Sequence, residues 1–256
     1  MSKPICIIPA RMGSSRFPGK PLKPLLGLAL VLHIFERCRL YGNFSHIAIA
    51  TCDDEIYDAV IAHGGEAIMT AQSHERCTDR VQEAVGVRYP NTSDDTVVVM
   101  VQGDEVLVSP TMIDDVVTAQ HRSGAPVVNL GSKLYRPEDH DDPNTVKIVA
   151  APDGRVLYFS RAAIPSRTRL ATVPMYQQTG IMAFTWGFLK QFSALDPTPL
   201  EAIESVDMLR VLEHGHALHA VFSENETIGV DTEQDLKRGE DLLKNDPLTR
   251  QYLALP

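Results

Sequence analysis

Residues 96–101 (TVVVMV) place four valines in six positions, and no other feature constrains the fold of this chain as tightly. β-Branched side chains favour extended backbone. A run that is apolar at every position has no face to offer water, so it needs cover on both sides, as in the middle of a parallel sheet. Residues 4–9 (PICIIP) and 45–51 (SHIAIAT) are further short apolar runs, and 66–70 is a shorter one. Between them the spacing predicts helices over 28–40, 53–63 and 78–87. Gly64-Gly65 closes the second, as glycine does at a helix C-terminus, and Asp79 suits the N-terminal dipole of the third. This alternation predicts an α/β fold with a mainly parallel, doubly wound sheet.

The second half is less regular. Residues 126–185 hold several short β-like runs, including 145–150 and 155–159. Residues 199–215 read as one helix, and Gly229-Val230-Asp231-Thr232 leads into a charged terminal helix. With no internal repeat, low-complexity tract or linker, residues 1–256 read as a single domain. A net charge of -9 argues against a large nucleic-acid interface, which needs a basic face. Cys6, Cys38, Cys52 and Cys77 lack C-x-x-C spacing and read as reduced thiols. The N-terminus lacks signal-peptide organisation, and no stretch approaches the roughly 20 apolar residues of a membrane span. The expectation is a cytoplasmic protein.

Ligands of doubly wound sheets lie beyond the carboxyl ends of the strands. The loop after residues 4–9 reads ARMGSSRFPGKPL and brings Arg11, Arg16 and Lys20 within ten positions, with Gly13 and Ser14 among them. Glycines let backbone N–H groups approach phosphate oxygens; arginine binds them in bidentate fashion and lysine as a point charge. The loop is not the G-x-x-x-x-G-K-[ST] motif, because Pro21 follows the lysine. Asp104 follows the valine-rich strand through Gln102-Gly103. A carboxylate there needs a cation, and Mg²⁺ shared with phosphate oxygens is one partner; capping the next helix is the alternative. Asp231 has the same two readings. Arg161, after residues 155–159, is either an acceptor-side cation or a surface ion pair, and Lys147 in NTVKIV reads as the outer face of a strand.

In order along the chain, IPARMGSSRFPGKPL, VQGDE, DPNTVKIV, LYFSRAAIP, TPLEAIESVDMLRVLEHG and GVDTEQDL resemble the CMP-KDO synthetase (3-deoxy-manno-octulosonate cytidylyltransferase) family over nearly the whole length. The resemblance implies a Rossmann-like nucleotidyltransferase acting as a homodimer, with residues 126–185 supplying a small β dimerisation and acceptor-side segment. It implies CTP and a 3-deoxy-2-ulosonic acid such as KDO as substrates, and Mg²⁺ as cofactor. Arg11, Lys20 and Asp104 are then catalytic. Arg11, Gly13, Ser14, Arg16, Lys20, Thr78 and Gln102 hold the nucleotide, and Asp104 and Asp231 hold the metal. Arg161, Gln178, Met182, Glu204 and Asp207 line the acceptor side.

Departures from the family pattern fall around the substrates. Arg76-Cys77-Thr78 stands where the family has Ser-Gly-Thr, in the segment that meets cytosine and ribose, and Val106 replaces a proline after QGDE. Gln178-Thr179-Gly180-Ile181-Met182 stands for His-Leu-Gly-Ile-Tyr, and Asp207-Met208 for Glu-Gln. Lost hydrogen-bonding partners alter discrimination strongly. The acceptor alternatives are therefore a modified KDO such as an 8-amino form, a nonulosonic acid or a phosphonate. A nucleotide-binding regulator without turnover is a further alternative.

Overall fold

The valine-rich run is strand β6 (Val97–Val101), and it lies beside β1 (Ile5–Pro9) in the middle of a nine-stranded sheet. The structure is a computed structural model, described over residues 2–13, 17–169 and 174–254. Along the chain follow β2 (Pro24–Leu25), β3 (Leu28–Ala29), α1 (Leu30–Arg39), β4 (His46–Thr51), α2 (Asp54–Ala62), β5 (Ala67–Met69), α3 (Cys77–Arg88), β6 and α4 (Pro110–Ser123). The second half adds β7 (Val127–Lys133), α5 (Pro137–Asp141), β8 (Lys147–Ala150), β9 (Val156–Ser160), β10 (Tyr176–Thr185), α6 (Trp186–Ser193), α7 (Pro199–Glu204), α8 (Met208–Glu213), β11 (Leu218–Ser223) and α9 (Glu233–Asn245).

The sheet order is β11-β7-β10-β6-β1-β4-β5. β1 pairs in parallel with β4 and β6, β4 with β5, and β7 with β11. β10 runs antiparallel between β6 and β7 and also pairs antiparallel with β8, which pairs antiparallel with β9. From β1 the chain winds outward to β4 and β5, then returns to β6 on the other side. The gap between the loops after β1 and β6 is therefore the topological switch point, where such sheets bind ligands.

Strict alternation explains why both faces are covered. Cys6, Ile8, Val97, Val99 and Val101 face one core with α1, α2 and α4. Ile5, Ile7, Val98 and Met100 face a second core with α3, α6 and α8. All of these sheet residues are buried. Each aliphatic side chain among them contributes about 1.5–3 kcal/mol by leaving water, and cover on both faces is what a strand apolar at every position needs.

Two expectations need correction. Residues 199–215 form two short helices rather than one, because Ser205 adopts a left-handed conformation (φ 53°) between α7 and α8. Lys147 is not on an outer face; it is fully buried, and its Nζ donates to the carbonyls of Asp142, Thr145 and Arg161 at 2.8, 2.5 and 2.7 Å. Main-chain carbonyls at the head of β8 thus supply what the valine alternation could not reveal. Among the described residues, no helix is long and apolar enough to cross a membrane.

Candidate active site

The turn after β6 begins with Gln102-Gly103-Asp104-Glu105. Gly103 is required there: a Cβ at this position would stand 2.8 Å from the carbonyl oxygen of Pro9, the last residue of β1. Gln102 N–H donates to the Gly180 carbonyl at 2.9 Å, and the Glu105 carboxylate accepts the Gly180 N–H. A Cβ on Gly180 would fall 2.6 Å from the Cβ of Gln102. The irregularity in β10 between Gln178 and Met182 therefore exists around a glycine against which this turn packs.

The same turn gathers the end of the chain. Val230 N–H donates to the Asp104 carbonyl at 3.1 Å, and Glu105 bridges to Gly229. Asp231 is thereby brought beside Asp104 from the far end of the sequence. Lys20, at the end of the first loop, closes the group. Its Nζ lies 2.8 Å from Asp104 Oδ2 and 3.1 Å from Asp231 Oδ1. Burial works against the ammonium, but the two carboxylates outweigh it and its pKa is raised. The helix-cap readings of the two aspartates fall away: Ser109 caps α4, and Thr232 caps α9 through a reciprocal box with Asp235.

Glu105 is buried, and one of its carboxylate oxygens has no partner among the described residues. Burial, with the Asp104 charge beside it, pushes its carboxyl up to about 7. Asp104 and Asp231 face a common point, as their shared contact with Lys20 shows. Among the described residues there is no cluster of three or more His, Cys, Asp or Glu able to enclose a metal. Two converging carboxylates nevertheless fit Mg²⁺, which is commonly held by one or two carboxylates and completes its shell with phosphate and water oxygens.

A cleft of about 680 Å³ opens on this edge. Thr78, Gln102, Asp104, Asp231, Arg161, Gln178, Met182 and Asp207 all line it. The Thr78 hydroxyl is buried without a partner among the described residues. Cys77 beside it reports the local field: burial and the charges of Asp104 and Asp207 push its thiol up to about 12, against the pull of Arg11 and Arg80. Arg11 is exposed at the start of the first loop, and the Met12 N–H is held by Asp53 at 2.7 Å. Gly13 is exposed, and Ser14 and Arg16 lie outside the described residues.

On the opposite wall the Arg161 guanidinium donates to main-chain carbonyls: Nε to Glu204 at 2.6 Å, Nη1 to Pro143 at 3.0 Å and Nη2 to Ser205 at 3.5 Å. No carboxylate pairs with its guanidinium among the described residues, so the surface-ion-pair alternative does not hold. Glu204 stands behind it, accepting the Arg161 N–H at 2.8 Å and the Ser160 hydroxyl at 2.7 Å. Gln178 Nε2 donates to Asn129 Oδ1 at 2.8 Å, and Asn129 in turn donates to the carbonyls of Leu130, Thr179 and Ile181.

Sequence reasoning passed over Glu105 and Asn129, and it named Arg76 only as a departure from the family pattern. Asn129 did carry a signal, as a polar residue inside the apolar run VVNL. The contact of Arg76 with Asp207 carried none, because the two are 131 positions apart.

Comparison with known proteins matches residues 5–228 to the cytidylyltransferase family. The 8-amino-3,8-dideoxy-manno-octulosonate cytidylyltransferases of Shewanella sp. strain ANA-3 and Shewanella oneidensis are each 38% identical over 242 residues, covering 94% of this chain and 98% of theirs. A solved CMP:2-keto-3-deoxy-manno-octonic acid synthetase, complexed with CTP, superposes with a TM-score of 0.86 at 31% identity, covering 95% of this chain and 99% of its own.

Proposed function

The chain belongs to the cytidylyltransferase family, and on that premise we propose that it transfers the cytidylyl group of CTP to a 3-deoxy-2-ulosonic acid, releasing pyrophosphate. The observation that carries this reading is the Lys20–Asp104–Asp231 group, placed where the loops after β1 and β6 meet. The anomeric hydroxyl oxygen of the acceptor forms a bond to the α-phosphorus. The bond from that phosphorus to its bridging oxygen breaks, pyrophosphate leaves, and the hydroxyl proton passes to solvent. Lys20 and Arg11 offset the charge that grows on the leaving group, and fixed cations of this kind are worth most where charge develops. Thr78 and Gln102, which both line the cleft, hold the nucleoside. Gly13, Ser14 and Arg16 complete the phosphate loop. Arg161, seated by carbonyls and unneutralised by any described carboxylate, receives the acceptor's anionic end, with Gln178, Met182, Glu204 and Asp207 shaping that wall.

Asp104 and Asp231 would hold Mg²⁺, which when bound withdraws charge from the phosphates. An 8-amino acceptor is a second reading, favoured by the activity for which the Shewanella relatives are named. A homodimer, formed through residues 126–185, completes the proposal.

Pyrophosphate release, measured with CTP, Mg²⁺ and a panel of 3-deoxy-manno-octulosonate, its 8-amino analogue, nonulosonic acids and phosphonates, tests the reading. Turnover with an ulosonic acid supports it. Tight CTP binding with no release from any acid would leave a nucleotide-binding regulator instead. Full turnover by Asp104→Asn would remove the metal assignment.

A further inference from the structure

Arg76 stands at the N-cap of α3, immediately before Cys77 and Thr78 on the nucleotide side of the cleft, and has no side-chain capping bond. Its side chain reaches the opposite wall. Nη1 lies 2.8 Å from Asp207 Oδ1, and Nη2 lies 3.9 Å from Glu201 Oε1. Glu201 is itself fixed by Arg210 through two bonds of 2.7 and 2.6 Å. The contact is partly sheltered, with the Arg76 side chain 34% and the Asp207 side chain 21% exposed.

Asp207 belongs to the turn that the left-handed Ser205 makes between α7 and α8. This is the turn that seats Arg161. The Glu204 carbonyl accepts Nε, the Ser205 carbonyl accepts Nη2, and the Glu204 carboxylate accepts the Arg161 N–H. A continuous path therefore runs from α3 through Arg76 and Asp207 to the seat of Arg161. Both ends of the ion pair also fall where the chain departs from the pattern of the family it resembles: Arg76 in place of serine, and Asp207 in place of the longer glutamate. The shorter acid and the longer base meet each other across the cleft.

We propose that Arg76 is a positioning residue for acceptor binding: its ion pair with Asp207 moors the turn holding Arg161 to the nucleotide-side helix. The proposal rests on the reading of Arg161 as the acceptor's anion-binding group. Small displacements of a positioning group cost large factors in rate and affinity, whereas a generic surface ion pair contributes little.

The test uses the full-length enzyme with CTP, Mg²⁺ and whichever of 3-deoxy-manno-octulosonate and its 8-amino analogue gives the higher turnover. Arg76→Ser is expected to raise the acceptor KM ~10-fold while the Kd for CTP alone stays within about twofold, since the mooring acts on one wall. Asp207→Asn should match it, and the double variant should be no worse than either single one, as coupled residues behave. Arg76→Lys, which keeps the charge, should recover part of the acceptor affinity even if Arg76→Ser is less stable. An unchanged acceptor KM in Arg76→Ser, additive effects in the double variant, or an equal loss of CTP affinity would overturn the mooring. Arg161→Ala separates the two claims. If it leaves the acceptor KM unchanged, the role of Arg161 fails and the mooring with it. If it raises the KM while Arg76→Ser does not, the mooring alone fails.

Discussion

Lys20 concentrates the chemistry at the residue scale. Lys20 is only 9% exposed, and its ammonium is tolerable there because two carboxylates lie within 3.1 Å of it. Lys20→Met removes that cation and leaves Asp104 and Asp231 facing each other. We expect kcat for pyrophosphate release to fall by ~10²–10³, the usual cost of losing one preorganised charge-stabilising group. A kcat within a fewfold of wild type would remove Lys20 from the machinery. Which residues were legible follows from where their partners lie. Asp104 and Asp231 announced themselves because each is a carboxylate at the end of an apolar run, where a cation is needed. Lys147 and Arg161 carried an ambiguous signal, because each is satisfied by main-chain carbonyls, which have no letter in the sequence. Arg76 was recorded only as a departure, and its partner emerges only from the fold.

The main elements of the first half follow their sequence signals to within a few residues, since β1 and β6 are apolar throughout and α4 runs from a Ser109 cap to Gly124. The stretch 199–215 did not. Its composition suits one helix, but Ser205 breaks it, and the break lets Glu201 on α7 face Arg210 on α8. Both residues of that pair are buried, so each depends on the other. Arg210→Met leaves a buried carboxylate without its partner and should cost about 3–5 kcal/mol in urea unfolding at neutral pH. The pH dependence carries a sign. Burial alone would raise the Glu201 pKa, but the bonds from Arg210 overcome it and the pKa is lowered. The native state then holds fewer protons than the unfolded chain between the lowered value and the usual glutamate value. Its stabilisation is present above the usual value and is lost as pH falls through the lowered one. In Arg210→Met that acid-side loss should shrink, as unfolding measured from neutral to acidic pH would register; an unchanged slope would show that Arg210 does not hold the carboxylate.

At the scale of the whole molecule, two cores clamp a sheet whose switch point lies between β1 and β6; the loop after β6 lines the cleft, and Lys20 from the loop after β1 meets its Asp104. The doubly wound sheet followed from the alternation of strands and helices. The antiparallel β10 did not, because a buried strand reads alike in either direction, yet it supplies Gly180, Gln178 and Met182 to the site. Beyond it, β9 pairs within the sheet only with β8 and leaves Leu157 52% exposed. If this hairpin forms the proposed dimer contact, Leu157→Glu should shift the species seen by light scattering from dimer to monomer; a monomeric wild type would remove the dimer. The central claim is that the loop after β1 and the aspartates at the switch point serve a single reaction, cytidylyl transfer to an ulosonic acid. ³¹P NMR of the enzyme with CTP, Mg²⁺ and 3-deoxy-manno-octulosonate or its 8-amino analogue tests it directly. The account predicts loss of the three CTP resonances and growth of one phosphodiester and one pyrophosphate signal in a 1:2 integral ratio, as one and two phosphorus atoms require, whereas CTP that persists unchanged beside either acid, or is hydrolysed to CDP and phosphate, would contradict it.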